Sequence, residues 1–148
     1  MRIDGGCHCG NLRFHLDWSP APARIDARAC ACSFCTRHGA SWVSCPTGAL
    51  ELDAEDRSLV RSYAFATATA TFHLCARCGV VPVVTSRIDG TLYAVVNANT
   101  FTGVDPALVH RSPVQLGDET AEARLERRRR NWIARVRWRD APDGLSFG

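Results

Sequence analysis

The sequence contains no lysine, because all 18 of its basic residues are arginine. The chain therefore has no lysine amine for Schiff-base catalysis, which excludes enzymes of that type. Genomic base composition is the simpler explanation of this bias, and the net charge of +3 is too small to point to a partner. Whatever the cause of the bias, every basic side chain of this type is always ionised and has a planar fork that suits carboxylates and phosphates.

The sequence also lacks any long apolar run. Residues 1–7 contain no stretch that could serve as a signal peptide, and no later stretch approaches the roughly 18 apolar residues of a membrane span. The hydrophobic content of 46% and the charged content of 22% are those of a globular protein. We therefore expect a single domain over residues 1–148 that makes no membrane contact and stays in the cytoplasm, where cysteines are kept reduced.

Short alternating runs of apolar residues dominate the sequence up to about residue 97. Leu12, Phe14 and Leu16 alternate with polar residues, as expected for half-buried strands. Further strand candidates are residues 25–29, 41–44, 49–52, 59–63, 69–74, 80–86 and 91–96. Asp89-Gly90 between the last two favours a hairpin. The pattern predicts a mainly β fold built from folded antiparallel sheets.

The C-terminal part has a helical pattern. Leu125, Trp132 and Val136 recur at roughly helical spacing, which predicts an amphipathic helix over about residues 120–135. The four consecutive arginines at 127–130 could contact nucleic acid, but a solvated helix face is the favoured interpretation. One basic quartet without interleaved aromatic residues is a weak nucleic-acid signal.

Seven of the eight cysteines fall into three short clusters. These are Cys7-His8-Cys9-Gly10, Cys30-Ala31-Cys32-Ser33-Phe34-Cys35 and Cys75-Ala76-Arg77-Cys78-Gly79. In the first and third clusters a glycine follows the last cysteine and eases the tight turn that a pair of metal ligands needs. Together these two clusters supply Cys7, Cys9, Cys75 and Cys78, four thiolates that would close a tetrahedral structural zinc site.

The middle cluster leaves Cys30, Cys32 and Cys35 as three ligands for a second zinc. Three protein ligands and an open fourth position are typical of catalytic zinc sites. Three thiolates on Zn²⁺ give a net charge of −1, which makes the metal a weak Lewis acid toward water. An incoming thiol, held as its thiolate, suits the fourth position better than water. The residues therefore favour chemistry on a thiol substrate over hydrolysis.

Three other interpretations of the cysteines stay open at this point. The C-x-x-C pairs could be redox pairs, although neither lies in a βαβ pattern. Closely spaced cysteines can also hold an iron–sulfur cluster. The middle cluster could gain a fourth ligand from Cys45 or His38 and be purely structural. Arg37 and His38, which follow the middle cluster directly, are candidates to orient an anionic thiol substrate or move a proton.

The three clusters, with Thr36-Arg37-His38-Gly39-Ala40 after the second and Phe72-His73-Leu74 before the third, resemble the glutathione-dependent formaldehyde-activating enzyme family. That family includes the centromere protein V group, and the resemblance covers about residues 5–106. It implies a β-tent fold, structural zinc on Cys7, Cys9, Cys75 and Cys78, and catalytic zinc on Cys30, Cys32 and Cys35. It also implies a carbon–sulfur lyase that joins formaldehyde to glutathione, whose two carboxylates the arginines at 127–130 could bind as an alternative to nucleic acid. Ala31 and Val80 depart from the residues common in the family.

Two functions of different classes follow. The first is a zinc-dependent carbon–sulfur lyase acting on the adduct of a glutathione-like thiol and a small aldehyde, with two zinc ions per chain. The second is a non-catalytic, zinc-stabilised binding module that contacts a protein or nucleic acid through its arginine-rich helix.

Overall fold

A computed structural model describes residues 1–139, which form two β-sheets, two short α-helices and three 3₁₀ turns. The strands are β1 (Arg2–Gly6), β2 (Leu12–Asp17), β3 (Ile25–Cys30), β4 (Trp42–Val43), β5 (Ala49–Ala54), β6 (Val60–Tyr63), β7 (Thr71–Cys75), β8 (Val83–Ile88), β9 (Thr91–Asn97), β10 (Phe101–Thr102), β11 (Val109–Val114) and β12 (Arg135–Trp138). The helices are α1 (Ser33–His38) and α2 (Ala121–Asn131), and the 3₁₀ turns are Arg57–Leu59, Ala98–Thr100 and Pro106–Leu108. The predicted mainly β character is confirmed.

Most neighbouring strands are antiparallel, as expected. The first sheet has the order β10-β1-β2-β5-β12, and the second has the order β11-β3-β4-β9-β8-β7-β6. The antiparallel expectation is wrong at one edge of each sheet, where β12 runs parallel to β5 and β11 runs parallel to β3. Parallel neighbours require a crossover connection, and both edge strands are reached only after the chain has traversed other strands or α2.

The strands that sequence patterning found are those with alternating or buried apolar side chains. The hairpin between β8 and β9 is confirmed, and both turn residues, Asp89 and Gly90, have positive φ angles of 50° and 81°. Four strands were missed: β1, β10, β11 and β12. The first contains Gly5 and Gly6, and β11 is an exposed edge strand that contains Pro113. Neither composition carries a strand signal.

The C-terminal helix is shorter than expected. The hydroxyl of Thr120 accepts a hydrogen bond from the Ala123 amide at 3.1 Å, which starts the helix one residue later than expected. The helix ends at Asn131 because Ile133 exchanges two backbone hydrogen bonds with Ala94 of β9. The chain then continues as β12, so residues 132–135 are not helical. Neither α-helix in residues 1–139 combines the length and the apolar composition that crossing a membrane requires.

Two clusters of buried side chains cover opposite faces of the second sheet. Because neighbouring residues of a strand face opposite sides, Val83 joins the core between the sheets and Val84 joins the cluster on the other face. That second cluster also contains Trp42, Trp132 and Cys35. Helix α1, α2 and the outer face of the second sheet therefore meet around one of the predicted metal-ligand cysteines.

Replacing Gly5 by alanine should destabilise the protein. A Cβ at this position would lie 2.7 Å from the carbonyl oxygen of Thr100 and would overlap the ring of Phe14, which is fully buried. Overpacking of this kind costs about 1–3 kcal/mol, which urea denaturation measures as a fall in the free energy of unfolding. Gly117→Ala is the matched control, since a Cβ there meets nothing within 4 Å. Equal stability of the two variants would contradict the packing described.

Candidate metal centres

The first candidate centre brings together the four cysteines of the outer clusters. The sulfurs of Cys7, Cys9, Cys75 and Cys78 all lie within 4.8 Å of one another. The Sγ–Sγ distances are 3.7 Å for Cys7 and Cys9 and 3.5 Å for Cys9 and Cys75. Tetrahedral zinc with Zn–S bonds of about 2.3 Å separates its sulfurs by about 3.8 Å. The donor type, the donor number and the spacing therefore all fit zinc.

Local backbone geometry explains why these sulfurs converge. Gly10 and Gly79 follow the two cysteine pairs and adopt left-handed φ angles of 82° and 80°, which residues with side chains rarely adopt. The amide of Leu12 donates a hydrogen bond to the sulfur of Cys7 at 3.3 Å. The first pair lies in the turn between β1 and β2, while Cys75 ends β7, so the centre links the two sheets.

The second candidate centre contains Cys30, Cys32 and Cys35, whose sulfurs also lie within 4.8 Å of one another. Cys30 ends β3, and Cys32 caps α1 by accepting a hydrogen bond from the Cys35 amide at 3.3 Å. The indole N–H of Trp42 donates to the sulfur of Cys35 at 3.3 Å. Donors of this kind stabilise thiolate ligands and orient them.

Within residues 1–139 no further histidine, cysteine or carboxylate belongs to this three-cysteine group. Cys45 is fully buried in the core between the sheets, and its sulfur contacts the hydroxyl of Thr47. The ring of His38 packs against Phe34, with ring centroids 4.5 Å apart. The closed-site interpretation, which needed Cys45 or His38 as a fourth ligand, therefore finds no support in the geometry. The donor set fits a zinc ion with one position left for another ligand.

The three sulfurs share protons unequally when no metal is bound. The pKa of Cys30 falls to about 5, first because Cys35 donates a hydrogen bond to its thiolate. The same hydrogen bond and then burial raise the pKa of Cys35 far above its usual range. Metal binding at this centre must displace the protons that remain, so metal affinity rises with pH.

A cavity of about 310 Å³ opens beside the second centre. All three of its cysteines line this cavity, whereas none of the four cysteines of the first centre does. The apolar part of the wall includes Trp42, Phe65, Phe72 and Trp132. The two centres therefore differ in their relation to this cavity: the four-cysteine group lies away from it, and the three-cysteine group faces a space that can hold a small molecule.

The polar part of the wall is formed mainly by arginine. The cavity is lined by four arginines: Arg28 of β3 and Arg124, Arg127 and Arg128 of α2. Burial lowers the pKa of Arg128 to about 10, so its guanidinium remains charged at neutral pH. The solvated-face interpretation of residues 127–130 is thus wrong for Arg127 and Arg128, while Arg129 and Arg130 are exposed as expected.

Arg37 and His38 are not among the described residues that line the cavity. Arg37 donates a hydrogen bond to the carbonyl of Ser33, one turn back in α1, at 2.8 Å. Cys32 and Cys35 line the cavity, whereas Arg37 and His38 lie on another side of α1. Their predicted role toward an anionic substrate therefore has no geometric support.

Sequence reasoning missed Arg124, and it considered Arg127 and Arg128 as carboxylate contacts but favoured a solvated face, although one signal pointed to a buried position. Arg128 lies three residues after Leu125 and four before Trp132, so helical spacing places it on the apolar face. A charge on the buried face of a helix is rare and points to a function. No comparable signal marks Arg28, because its relation to α2 depends on the tertiary fold.

Comparisons with known proteins agree with the cysteine pattern. A model of the family described as glutathione-dependent formaldehyde-activating enzyme matches residues 2–110. The chain is also similar to a crystal structure of a Rhodobacter sphaeroides protein, with 30% sequence identity and a TM-score of 0.55. The alignment covers 70% of this chain and 92% of that protein. All of α2, with its arginines, lies beyond the residues that match the family.

Cysteine substitutions should separate the two centres. Native mass spectrometry of the unmodified protein should find two zinc ions per chain, and Cys78→Ser and Cys32→Ser should each lose one. We expect Cys78→Ser to lower the free energy of unfolding by more than about 3 kcal/mol, because its centre links the sheets. We expect a smaller loss for Cys32→Ser. Cys45→Ser, the control in the core, should keep both ions; one ion in the unmodified protein would contradict the two-centre assignment.

Proposed function

This chain belongs to the glutathione-dependent formaldehyde-activating enzyme family, and we propose from that premise that it is a zinc-dependent carbon–sulfur lyase. Its substrates would be a glutathione-like thiol and a small aldehyde such as formaldehyde. The observation that carries the proposal is the three-cysteine group at the wall of a cavity. A group of three thiolates with space beside it can accept a fourth, exchangeable sulfur.

The four-cysteine group has a structural role in this proposal. Zinc bound by Cys7, Cys9, Cys75 and Cys78 would fix the β1–β2 turn against the end of β7. The two sheets would then form the β-tent that the family resemblance implies. Because thiolate ligands need reduced cysteines, and all eight cysteines are free, a reducing cytoplasm is the compartment we propose.

Zinc held by Cys30, Cys32 and Cys35 would supply a fourth position at which a thiol loses its proton and is kept as a nucleophilic thiolate. The three cysteines already carry three negative charges when ionised, which disfavours activation of water. The indole N–H of Trp42 offsets part of that charge at Cys35. Trp42, Phe72 and Trp132 line the remaining space and limit the entry of water.

The reaction joins the thiol sulfur to the carbonyl carbon of the aldehyde. The S–C bond forms as the C=O π bond breaks, and the proton lost from sulfur is balanced by one gained at the new hydroxyl. No histidine or carboxylate is among the described residues that line the cavity. The proton would therefore be exchanged with water at the mouth of the cavity, and none of the described lining residues supplies an imidazole or carboxylate base.

The alternative function, a binding module that uses an arginine-rich helix, is less well supported. A basic recognition surface needs its cations exposed on one face. Arg128 is only 6% exposed, and Arg127 is held by two hydrogen bonds to Glu119 at 2.8 and 3.0 Å. The quartet is therefore divided between the cavity and the solvent.

Replacing Cys32 by serine should abolish turnover and leave the fold intact. The variant loses one of three ligands next to the cavity but no residue of the core between the sheets. We expect at least a 100-fold loss in the rate at which glutathione and formaldehyde combine, with an unchanged far-ultraviolet circular dichroism spectrum. Cys45→Ser should retain the activity per folded molecule. Activity in Cys32→Ser, or its global unfolding, would refute the catalytic assignment.

Glutathione should slow the release of the more labile zinc ion to a chromogenic chelator. A thiol that occupies the fourth position competes with the chelator for access through the cavity. The second ion, bound by four cysteines, should leave at the same slow rate with and without glutathione. If glutathione neither binds nor protects the labile ion, the thiol substrate is wrong.

A further inference from the structure

We propose that the arginines of the cavity form a binding site for the carboxylates of an anionic thiol, with Arg128 and Arg28 as its principal contacts. The inference rests on the proposed function only in taking the ligand to be a thiol. The anion site itself follows from the charges and partners of the arginines.

Arg128 is a buried cation that forms no salt bridge with the described residues, 1–139. It is only 6% exposed, and its Nη1 donates hydrogen bonds to the hydroxyls of Thr69 at 2.8 Å and Ser86 at 3.2 Å. Its Nε is buried and has no hydrogen-bond partner among residues 1–139. Burying a charge is expensive unless an opposite charge pairs with it. Glu119 attracts Arg128 without direct contact, whereas an anion bound in the cavity would pair with it directly.

Arg28 is in a similar position on the other side of the cavity. Its described hydrogen-bond partner is the hydroxyl of Ser44, which is neutral. Arg28 and Arg127 both line the cavity, so their two positive charges face the same space. An anion between them would pair with both guanidinium groups.

The wall of the cavity carries a strong excess of positive charge. Glu119 lies outside the lining residues and pairs with Arg127 at 2.8 Å and with Arg124 at 3.9 Å. Among residues 1–139 no carboxylate lines the cavity, and the negative charges on its wall are those of the metal-ligand cysteines. The indole N–H of Trp132, a residue that is 5% exposed, is a further buried donor with no partner among residues 1–139.

The anion site lies within reach of the three-cysteine group. Arg28 and Cys30 are two residues apart on β3, so their side chains lie on the same face of the strand, and both line the cavity. A ligand with its sulfur at the cysteines would place its other end against the arginines. Guanidinium groups bind carboxylates through two parallel hydrogen bonds, which fixes orientation as well as charge.

The proposed site combines residues inside and outside the part of the chain that matches the family. Arg124, Arg127 and Arg128 lie beyond residues 2–110, the part that matches the family. Arg28 and the metal-ligand cysteines lie within it. Helix α2 would therefore complete, together with Arg28, the site that selects the thiol, while the cysteines of the family part would react with it.

The test is calorimetric titration with S-methylglutathione, which keeps both carboxylates but has no free thiol. The zinc-loaded protein should bind it, and Arg128→Met should weaken the binding at least about thirtyfold, as expected for the loss of a buried charge partner. Arg130→Met is the matched control, because it removes the same charge from an exposed position two residues later. Its affinity should be unchanged.

Stability measurements without ligand separate a binding role from a structural one. Methionine fills the space of the arginine stem, and both hydroxyls keep a hydrogen bond: Thr69 with Thr67 at 2.9 Å, and Ser86 with the Thr69 carbonyl at 2.7 Å. We therefore expect the midpoint of urea unfolding in Arg128→Met to equal or exceed that of the unmodified protein. A lower midpoint with unchanged affinity would mean that Arg128 is structural and would overturn the inference.

The diethyl ester of S-methylglutathione supplies the remaining control. It has the same shape at the sulfur but lacks both negative charges, so it should bind at least about thirtyfold more weakly than the acid. Equal affinity for the ester and the acid would overturn the anion site. If the acid binds through Arg128 but free glutathione neither protects zinc nor reacts, the proposed function fails and the anion site stands.

Discussion

The rest of the structure depends on one constraint, the convergence of four sulfurs from the first and third cysteine clusters. Cys9 and Cys75 are 66 positions apart in sequence, yet their sulfurs are 3.5 Å apart. The first follows β1 of one sheet, and the second ends β7 of the other. A metal link of this length would remove much of the loop-closure entropy that otherwise opposes packing of the two sheets. It would also fix the second sheet, and therefore β3 and the three-cysteine group at its end.

The same residue type forms two different centres because the surrounding elements differ. At the four-cysteine group two tight turns meet, and the backbone of these turns surrounds the sulfurs. At the three-cysteine group one wall is α1 and the other is the outer face of the second sheet, where Phe72 and Trp132 leave a gap. Spacing alone distinguishes four ligands from three. Only the tertiary fold shows that the group of three is the one beside a cavity.

Local patterns predicted those parts of the fold whose causes are local. Alternating apolar residues located β2, and Asp89-Gly90 located the β8–β9 hairpin, because each signal arises within a few residues. Strand β1 gave no such signal, because its Gly5 is required by tertiary packing: a Cβ there would overlap Phe14 and the carbonyl oxygen of Thr100. The helix was predicted too long for a similar reason. Pairing of Ile133 with Ala94 overrides a periodicity that would otherwise have continued.

The candidate site, like the fold, was predictable only where its causes are local in the sequence. Ligand cysteines are recognised by spacing, which is a sequence property, whereas the cavity arginines acquire their role from elements that meet only in the fold.

The absence of lysine from the sequence has a physical meaning at the position of Arg128. Burial lowers the pKa of Arg128 to about 10 and leaves it charged. A lysine starts from a pKa of about 10.4, so burial of the same extent would lower its pKa to about 8 and leave a much smaller margin of charge. Arginine keeps the larger margin, and its planar fork can bind a carboxylate through two parallel hydrogen bonds. A buried guanidinium without a counter-charge destabilises the free protein, so its presence beside the metal-ligand cysteines is best explained by the anion that it binds.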